Sequence, residues 1–106
     1  MSRRILWVAK CIDRSGSSSA QQRKDHMEAH FSYIETIIDS IAFAGPVTSE
    51  DGDKIIGSML AFYTEELEEA QLWLSRDPYF SCGIWEKTEW LRFVASAGDL
   101  VNGITW

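Results

Sequence analysis

The stretch Lys54-Ile55-Ile56-Gly57-Ser58-Met59-Leu60-Ala61-Phe62-Tyr63 carries large apolar side chains at both odd and even positions. Side chains alternate between the two faces of an extended chain, so Ile55, Met59, Ala61 and Tyr63 share one face and Ile56, Leu60 and Phe62 the other. A strand that is apolar on both faces belongs inside a sheet whose two faces are both covered. Asp51-Gly52, just before it, makes a turn. On the far side of that turn, Ala42 to Val47 reads as a short strand. Pro46 has no amide hydrogen for an interior ladder, which places this strand at an edge.

Working outward, Arg3 to Ile12 repeats the doubly apolar pattern, with Ile5, Trp7, Ala9 and Cys11 on one face and Leu6, Val8 and Ile12 on the other. Trp85 to Val94 is a fourth strand, and its Glu86, Lys87, Glu89 and Arg92 suit an edge. Asp13 to Ser18 is a serine-rich loop with Gly16. Ser19 followed three residues later by Gln22 is a capping-box signature, predicting a helix from about Ala20 to Ser40. Thr64 caps a second helix that opens on Glu65 and Glu66 and faces inward with Leu67, Ala70, Gln71 and Leu74. Pro78 stops it at Asp77. Asp77-Pro78-Tyr79 reads as an N-cap with proline at the first helical position, opening a short turn that Gly83 closes.

The order strand, helix, strand, strand, helix, strand gives an α+β, ferredoxin-like arrangement. It has an antiparallel four-stranded sheet, the first and third strands central, and two helices on one face. Two helices cover only one face, whereas the central strands are apolar on both. The open face therefore calls for a second copy of the chain, in a homodimer or higher homo-oligomer. Residues 1–94 form this domain. Residues 95–106, with Gly98, Gly103 and the terminal Trp106, are an extension expected to cover a pocket or join an interface.

A chain of 106 residues is one domain, and 45% hydrophobic with 25% charged residues describes an ordinary globular protein. The net charge of −6 opposes contact with nucleic acid and with anionic membrane surfaces, so neither is expected as a partner. Ile5 to Ala9 follows Arg3 and Arg4 but is interrupted by Lys10, too soon for a secretion signal or a membrane span. Cys11 and Cys82 lack the spacing of a metal knuckle or a redox pair. They read as free thiols in a reducing cytoplasm.

Helical spacing puts Arg23, Met27, His30, Ile34, Ile37 and Ile41 on one stripe. His30 then points into the body of the protein, while His26 and Glu28 lean toward water. Read alone, His30 is a core histidine satisfied by one hydrogen bond. His26 and His30 have the spacing of some metal sites, but no third ligand stands beside them, so no metal and no cofactor are expected.

Arg23, His30 and Tyr33, then Ala44-Gly45-Pro46, then the run from Ala70 through Asp77-Pro78-Tyr79 to Gly83 follow one another in an order that resembles the YCII-related (YciI-like) family. The resemblance covers roughly Ile5 to Phe93. It implies a dimeric α+β barrel and an active-site histidine and aspartate, which fall on His30 and Asp77. The chain departs from the family in continuing through Ala95 to Trp106.

A carboxylate at one imidazole nitrogen fixes the tautomer and leaves the other nitrogen to carry a proton near neutral pH. His30 would be the general acid/base and Asp77 its orienting partner. The helix cap is the competing reading of Asp77. Arg23 is a candidate for binding a ligand carboxylate or phenolate, with a structural arginine as its alternative. Ser58, Tyr79 and Tyr33 are candidate hydrogen-bond donors to substrate, and Trp90 and Trp106 candidate walls for an aromatic ligand. Cys82 reads as a buried thiol.

The expected function is a small cofactor-independent enzyme of lyase or isomerase type. It would act by His–Asp acid/base chemistry on a small, partly apolar, oxygenated or aromatic compound; the resemblance adds dehydrochlorination of hydroxylated aromatics. The alternative is a noncatalytic small-molecule-binding or oligomeric interaction module of the same fold.

Overall fold

β3 (Ile55–Tyr63) lies inside a four-stranded antiparallel sheet, between β2 (Ile41–Thr48) at one edge and β1 (Ile5–Asp13). β4 (Trp85–Val94) pairs with the other side of β1 and completes the order β2-β3-β1-β4. The two central strands are thus the two that are apolar on both faces, and Pro46 stands on an edge strand. This computed structural model describes residues 4–16 and 18–106, so Arg3 and Ser17 lie outside the described residues.

Among the described residues three α-helices accompany the sheet: α1 (Ser18–Thr36) after β1, α2 (Leu67–Ser75) after β3, and the single turn α3 (Pro78–Ser81) before β4. The register sets Trp7, Ala9 and Cys11 opposite Phe62, Leu60 and Ser58. This face meets the helices through Ala70, Leu74 and Tyr79, which with Ile84 and Trp85 complete the main core. Each large apolar side chain buried here contributes about 1.5–3 kcal/mol. The opposite face holds a smaller cluster of Leu6, Val8 and Ala61. Around it Phe43, Leu91 and Phe93 are about half exposed, at 42%, 50% and 50%.

Several local readings need correction. The capping box does not form: Ser19 lies within α1 and its hydroxyl donates to Arg14 O at 2.7 Å, while Gln22 Nε2 donates to Cys82 O at 2.9 Å. Both side chains find tertiary partners instead of helix-end amides. α1 also stops at Thr36, before the expected Ser40. The β-branched Ile37 and Ile38 follow, and the chain tightens into a 3₁₀ turn at Ile38–Ser40, with Ser40 N donating to Ile37 O at 2.8 Å. Thr64 does gather the start of α2: its hydroxyl accepts from Glu66 N at 3.0 Å and donates to Glu69 Oε1 at 2.6 Å. Gln71 is exposed, and Trp73 packs on Phe62 in its place. Asp13 closes β1 and is not part of the loop.

Past Ala95 the chain forms a small hairpin, β5 (Ala97–Gly98) with β6 (Gly103–Ile104), around a 3₁₀ turn at Asp99–Val101. Leu100, Ile104 and Trp106 on it are exposed, Trp106 most of all. Among the described residues no helix is long and apolar enough to cross a membrane.

Candidate active site

The segment leading into α1 and its first turns are tied to the segment leaving α3. Arg14 N donates to Ile84 O at 2.8 Å, Arg14 Nε to Gly83 O at 2.7 Å, and Gln22 Nε2 to Cys82 O. These bonds fix α1 beside α3, and with it the distance between His30 and Asp77. His30 Nδ1 lies 2.8 Å from Asp77 Oδ1 and 2.9 Å from Oδ2. The side chain of Asp77 is 1% exposed and that of His30 15%. A hydrogen bond to a charged partner at this depth is worth roughly 1.5–3 kcal/mol. Nε2 has no hydrogen-bond partner among the described residues.

Asp77 also does what its local sequence predicts. It is the N-cap of α3, where Oδ1 accepts from Tyr79 N at 2.9 Å and Pro78 takes the first helical position. The two readings of Asp77 therefore coexist in one carboxylate. The cap carries Tyr79 with it, and the Tyr79 ring stacks on His30 at 4.0 Å between centroids and 12° between planes. One short turn thus supplies both the carboxylate at the edge of the imidazole and the ring against its face.

Arg23 lies two turns before His30. Its Nε donates to Asp13 Oδ2 at 3.0 Å, and Nη2 donates to Asp13 Oδ1 at 2.8 Å, Ser58 Oγ at 3.0 Å and Gly57 O at 3.2 Å. The guanidinium also sits 5.3 Å from the centre of the Tyr79 ring, and Tyr79 Oη donates to Arg23 O at 3.3 Å. Arg23 is therefore held from within the protein. Asp13, read from sequence as loop, is the residue that sequence reasoning missed; its sequence neighbours gave no sign of a pairing across to α1. Gly57 was missed as well. A Cβ there would run into the carbonyl oxygen of Cys11, so only glycine lets β3 approach β1 where Arg23 meets both.

A pocket of about 1240 Å³ occupies the space between α1 and the β2–β3 edge of the sheet. His30, Arg23, Ser58 and Tyr79 all line it, and Asp77 lies behind His30 without reaching it. Tyr33 does not line it: its hydroxyl donates to Trp73 O at 2.6 Å, on the α2 side. Trp90 packs near Phe62 and Trp106 projects outward, so neither is a wall of the pocket. Cys82 is also absent from the lining, and its thiol contacts Tyr79 O at 3.5 Å. Gly45 lines the pocket with open space beside it.

The electrostatics follow from this burial. Burial pushes the Cys11 thiol up to about 12, the nearby Asp77 and Asp13 adding to the effect while Thr88 and Arg23 oppose it. Burial likewise raises the phenol of Tyr79, with Arg23 pulling the other way. The Tyr33 phenol is raised by burial too. Among the described residues, no group of three or more His, Cys, Asp or Glu side chains is placed to hold a metal ion.

The model of the YCII-related domain matches residues 5–94. The chain belongs to the YCII-related family. A relative in Sarocladium schorii, a protein of the xenovulene A biosynthesis cluster, is 34% identical over 92 residues, covering 78% of this chain and 80% of its own. Among solved structures, the chain resembles 5-chloro-2-hydroxyhydroquinone dehydrochlorinase (TftG) from Burkholderia phenoliruptrix in complex with 2,5-dihydroxybenzoquinone. The TM-score is 0.72 at 29% identity, over 88% of this chain and 95% of that one. A conserved protein from Methanosarcina mazei shares the fold, with a TM-score of 0.53 at 13% identity, over 90% of this chain and 96% of that one. The YCII-related family thus accounts for the sheet and the helices up to Val94; the hairpin beyond it lies outside the matched residues.

Proposed function

We propose that the protein is a small lyase- or isomerase-type enzyme that moves a proton with His30 on an oxygenated aromatic or quinonoid compound. The observation that carries this reading is the His30–Asp77 pair, with contacts of 2.8 and 2.9 Å at Nδ1, on the wall of a pocket. Asp77 holds the tautomer with the proton on Nδ1 and supports the imidazolium that forms when Nε2 takes a proton from the ligand. Return of that proton to a different ligand atom completes an isomerisation. Departure of a leaving group from the adjacent carbon, as the C–H electron pair becomes a C=C bond, completes an elimination, with His30 then releasing its proton to water. The likeness to a dehydrochlorinase structure holding 2,5-dihydroxybenzoquinone supports an oxygenated ring as the ligand class.

Ser58 supplies a hydroxyl to the pocket, Tyr79 holds the imidazole plane, and Arg23 fixes the floor beneath both. Tyr33 acts at a distance, on the α2 backbone. The pair works without a cofactor. The half-exposed Phe43, Leu91 and Phe93 around Leu6 and Val8 support a homodimer closed sheet to sheet, and the apolar tips of the 97–104 hairpin extend that interface. The free Cys11 and Cys82 fit a reducing, cytoplasmic setting.

The test is turnover across a panel of hydroxylated aromatics and quinones by the wild type, His30→Ala and Asp77→Asn, with circular dichroism and solution mass as controls. Loss of turnover in both variants, each still folded and with the wild-type mass, is the expected result. Full activity in both overturns the acid/base assignment, and tight binding without turnover by the wild type favours the binding-module alternative.

A further inference from the structure

The pocket is far larger than a single oxygenated ring requires, and its apolar walls are left bare. Its volume of about 1240 Å³ exceeds the roughly 300–1,000 Å³ usual for small-molecule sites. One polar group in the lining is His30, Ser58 and Tyr79, joined through Arg23 and the His30–Tyr79 stack, and charged side chains including Glu35 and Asp53 stand elsewhere in it. The apolar part of the lining includes Met27 and Phe31 from α1 and Ile55 and Ile56 from β3, exposed to 43%, 52%, 46% and 50%. The register places Ser58 and Leu60 on the helix-facing side of β3; against β2 it shifts between Gly57 and Ile55, and past this irregularity both Ile55 and Ile56 line the pocket. Exposed apolar side chains clustered on two facing elements mark a surface that an apolar partner covers.

We infer that the ligand is an oxygenated aromatic or quinonoid ring carrying an apolar extension, the ring at His30 and the extension lying between Phe31 and Ile56. This rests on the reading of His30 given above and adds a substrate class to it. The bare walls account for the extension: a single ring held at His30 would leave Met27, Phe31, Ile55 and Ile56 in water, whereas an alkyl, prenyl-like or second-ring substituent covers them. The charged Lys24 and Lys54 also line the pocket and are exposed, keeping their ammonium groups in water beside an apolar floor.

The test uses a matched pair of probes on the full chain by calorimetry: 2,5-dihydroxybenzoquinone, the ligand of the similar structure, and the same ring bearing a hexyl chain. Burial of the methylenes predicts that the hexyl compound binds about 30-fold tighter or more. The double variant Ile55→Thr, Ile56→Thr changes two half-exposed side chains on β3 and leaves Phe31 against His30; with its fold checked by circular dichroism, it is expected to lose most of that gain while binding the parent ring as before. His30→Ala is expected to keep the gain while losing turnover, which separates failure of the substrate class from failure of the acid/base reading. Equal affinity for the two probes overturns the inference, and is the outcome expected if a second copy of the chain already covers these walls. A gain that persists undiminished in the double variant also overturns it. Binding of neither probe by folded wild type overturns both the inference and the ligand class beneath it.

Discussion

Arg23 and His30 stand two turns apart on α1, and each meets a carboxylate from another element: Asp13 at the end of β1 and Asp77 at the cap of α3. The Arg23 pair is bidentate, through Nε and Nη2. Its Nη2 is shared among Asp13, Ser58 and Gly57, and its charge is permanent. The His30 pair uses one ring nitrogen and leaves the other without a partner among the described residues, on a side chain that can change its charge. Arg23 and His30 both line the pocket and lie against the same ring, Tyr79. The difference teaches what each is suited to: a two-pronged ion pair of permanent charge fixes geometry, whereas an imidazole with one nitrogen unpartnered is suited to exchanging protons.

The sharpest way to break this comparison is to remove one member of each pair in turn. His30→Ala is expected to lower turnover by about 10²–10⁴-fold with a much smaller loss of stability. Asp13→Ala should behave in the opposite way, costing about 3 kcal/mol in urea unfolding because it strands a buried guanidinium. If Asp13→Ala leaves stability untouched, Arg23 is free to bind ligands and the contrast disappears. Asp77 separates its two roles by substitution. Asp77→Asn keeps a capping side chain and removes the charge at His30, whereas Asp77→Ala loses the cap as well and should be about 1 kcal/mol less stable than the Asn variant. Equal stability of the two would mean that the cap contributes nothing.

The smallest effect lies between the pairs, at Cys11, whose thiol responds to both carboxylates. Its pKa in the fold, about 12, lies above the ordinary 9.0, so the folded state holds this proton more tightly than the unfolded state does. That contribution to stability is complete below pH 9 and is lost as pH rises toward 12. Alkylation followed against pH should show Cys11 reacting only at high pH, and at somewhat lower pH once Asp13 or Asp77 is changed to Asn. An unmoved alkylation profile would mean that burial alone sets the thiol and that the two carboxylates do not reach it.

Much of this arrangement is legible in the sequence. The doubly apolar Ile55–Tyr63 and Ile5–Ile12 stretches fix which strands are central, and Pro46 fixes an edge, because both follow from local backbone and burial rules. His30 is visible as a polar residue on an apolar stripe, and Asp77-Pro78 as a cap. That these two meet in space is not a local property; it came only through the family's motif order. Asp13 was hidden for the same reason, since its meaning lies in a partner on another element. Gly57 needed the close approach of two strands to explain it. Tyr33 shows the reverse failure: it follows His30 by three residues, yet the curve of the helix turns its hydroxyl to Trp73 O.

The most direct test of proton transfer at His30 is deuterium exchange into the ring C–H of bound 2,5-dihydroxybenzoquinone in heavy water, followed by NMR. The wild type should accelerate exchange well above the protein-free rate, and His30→Gln, still binding the ring, should return it to that rate. Exchange by His30→Gln as fast as by the wild type would show that the proton moves elsewhere and that His30 is only a wall of the pocket.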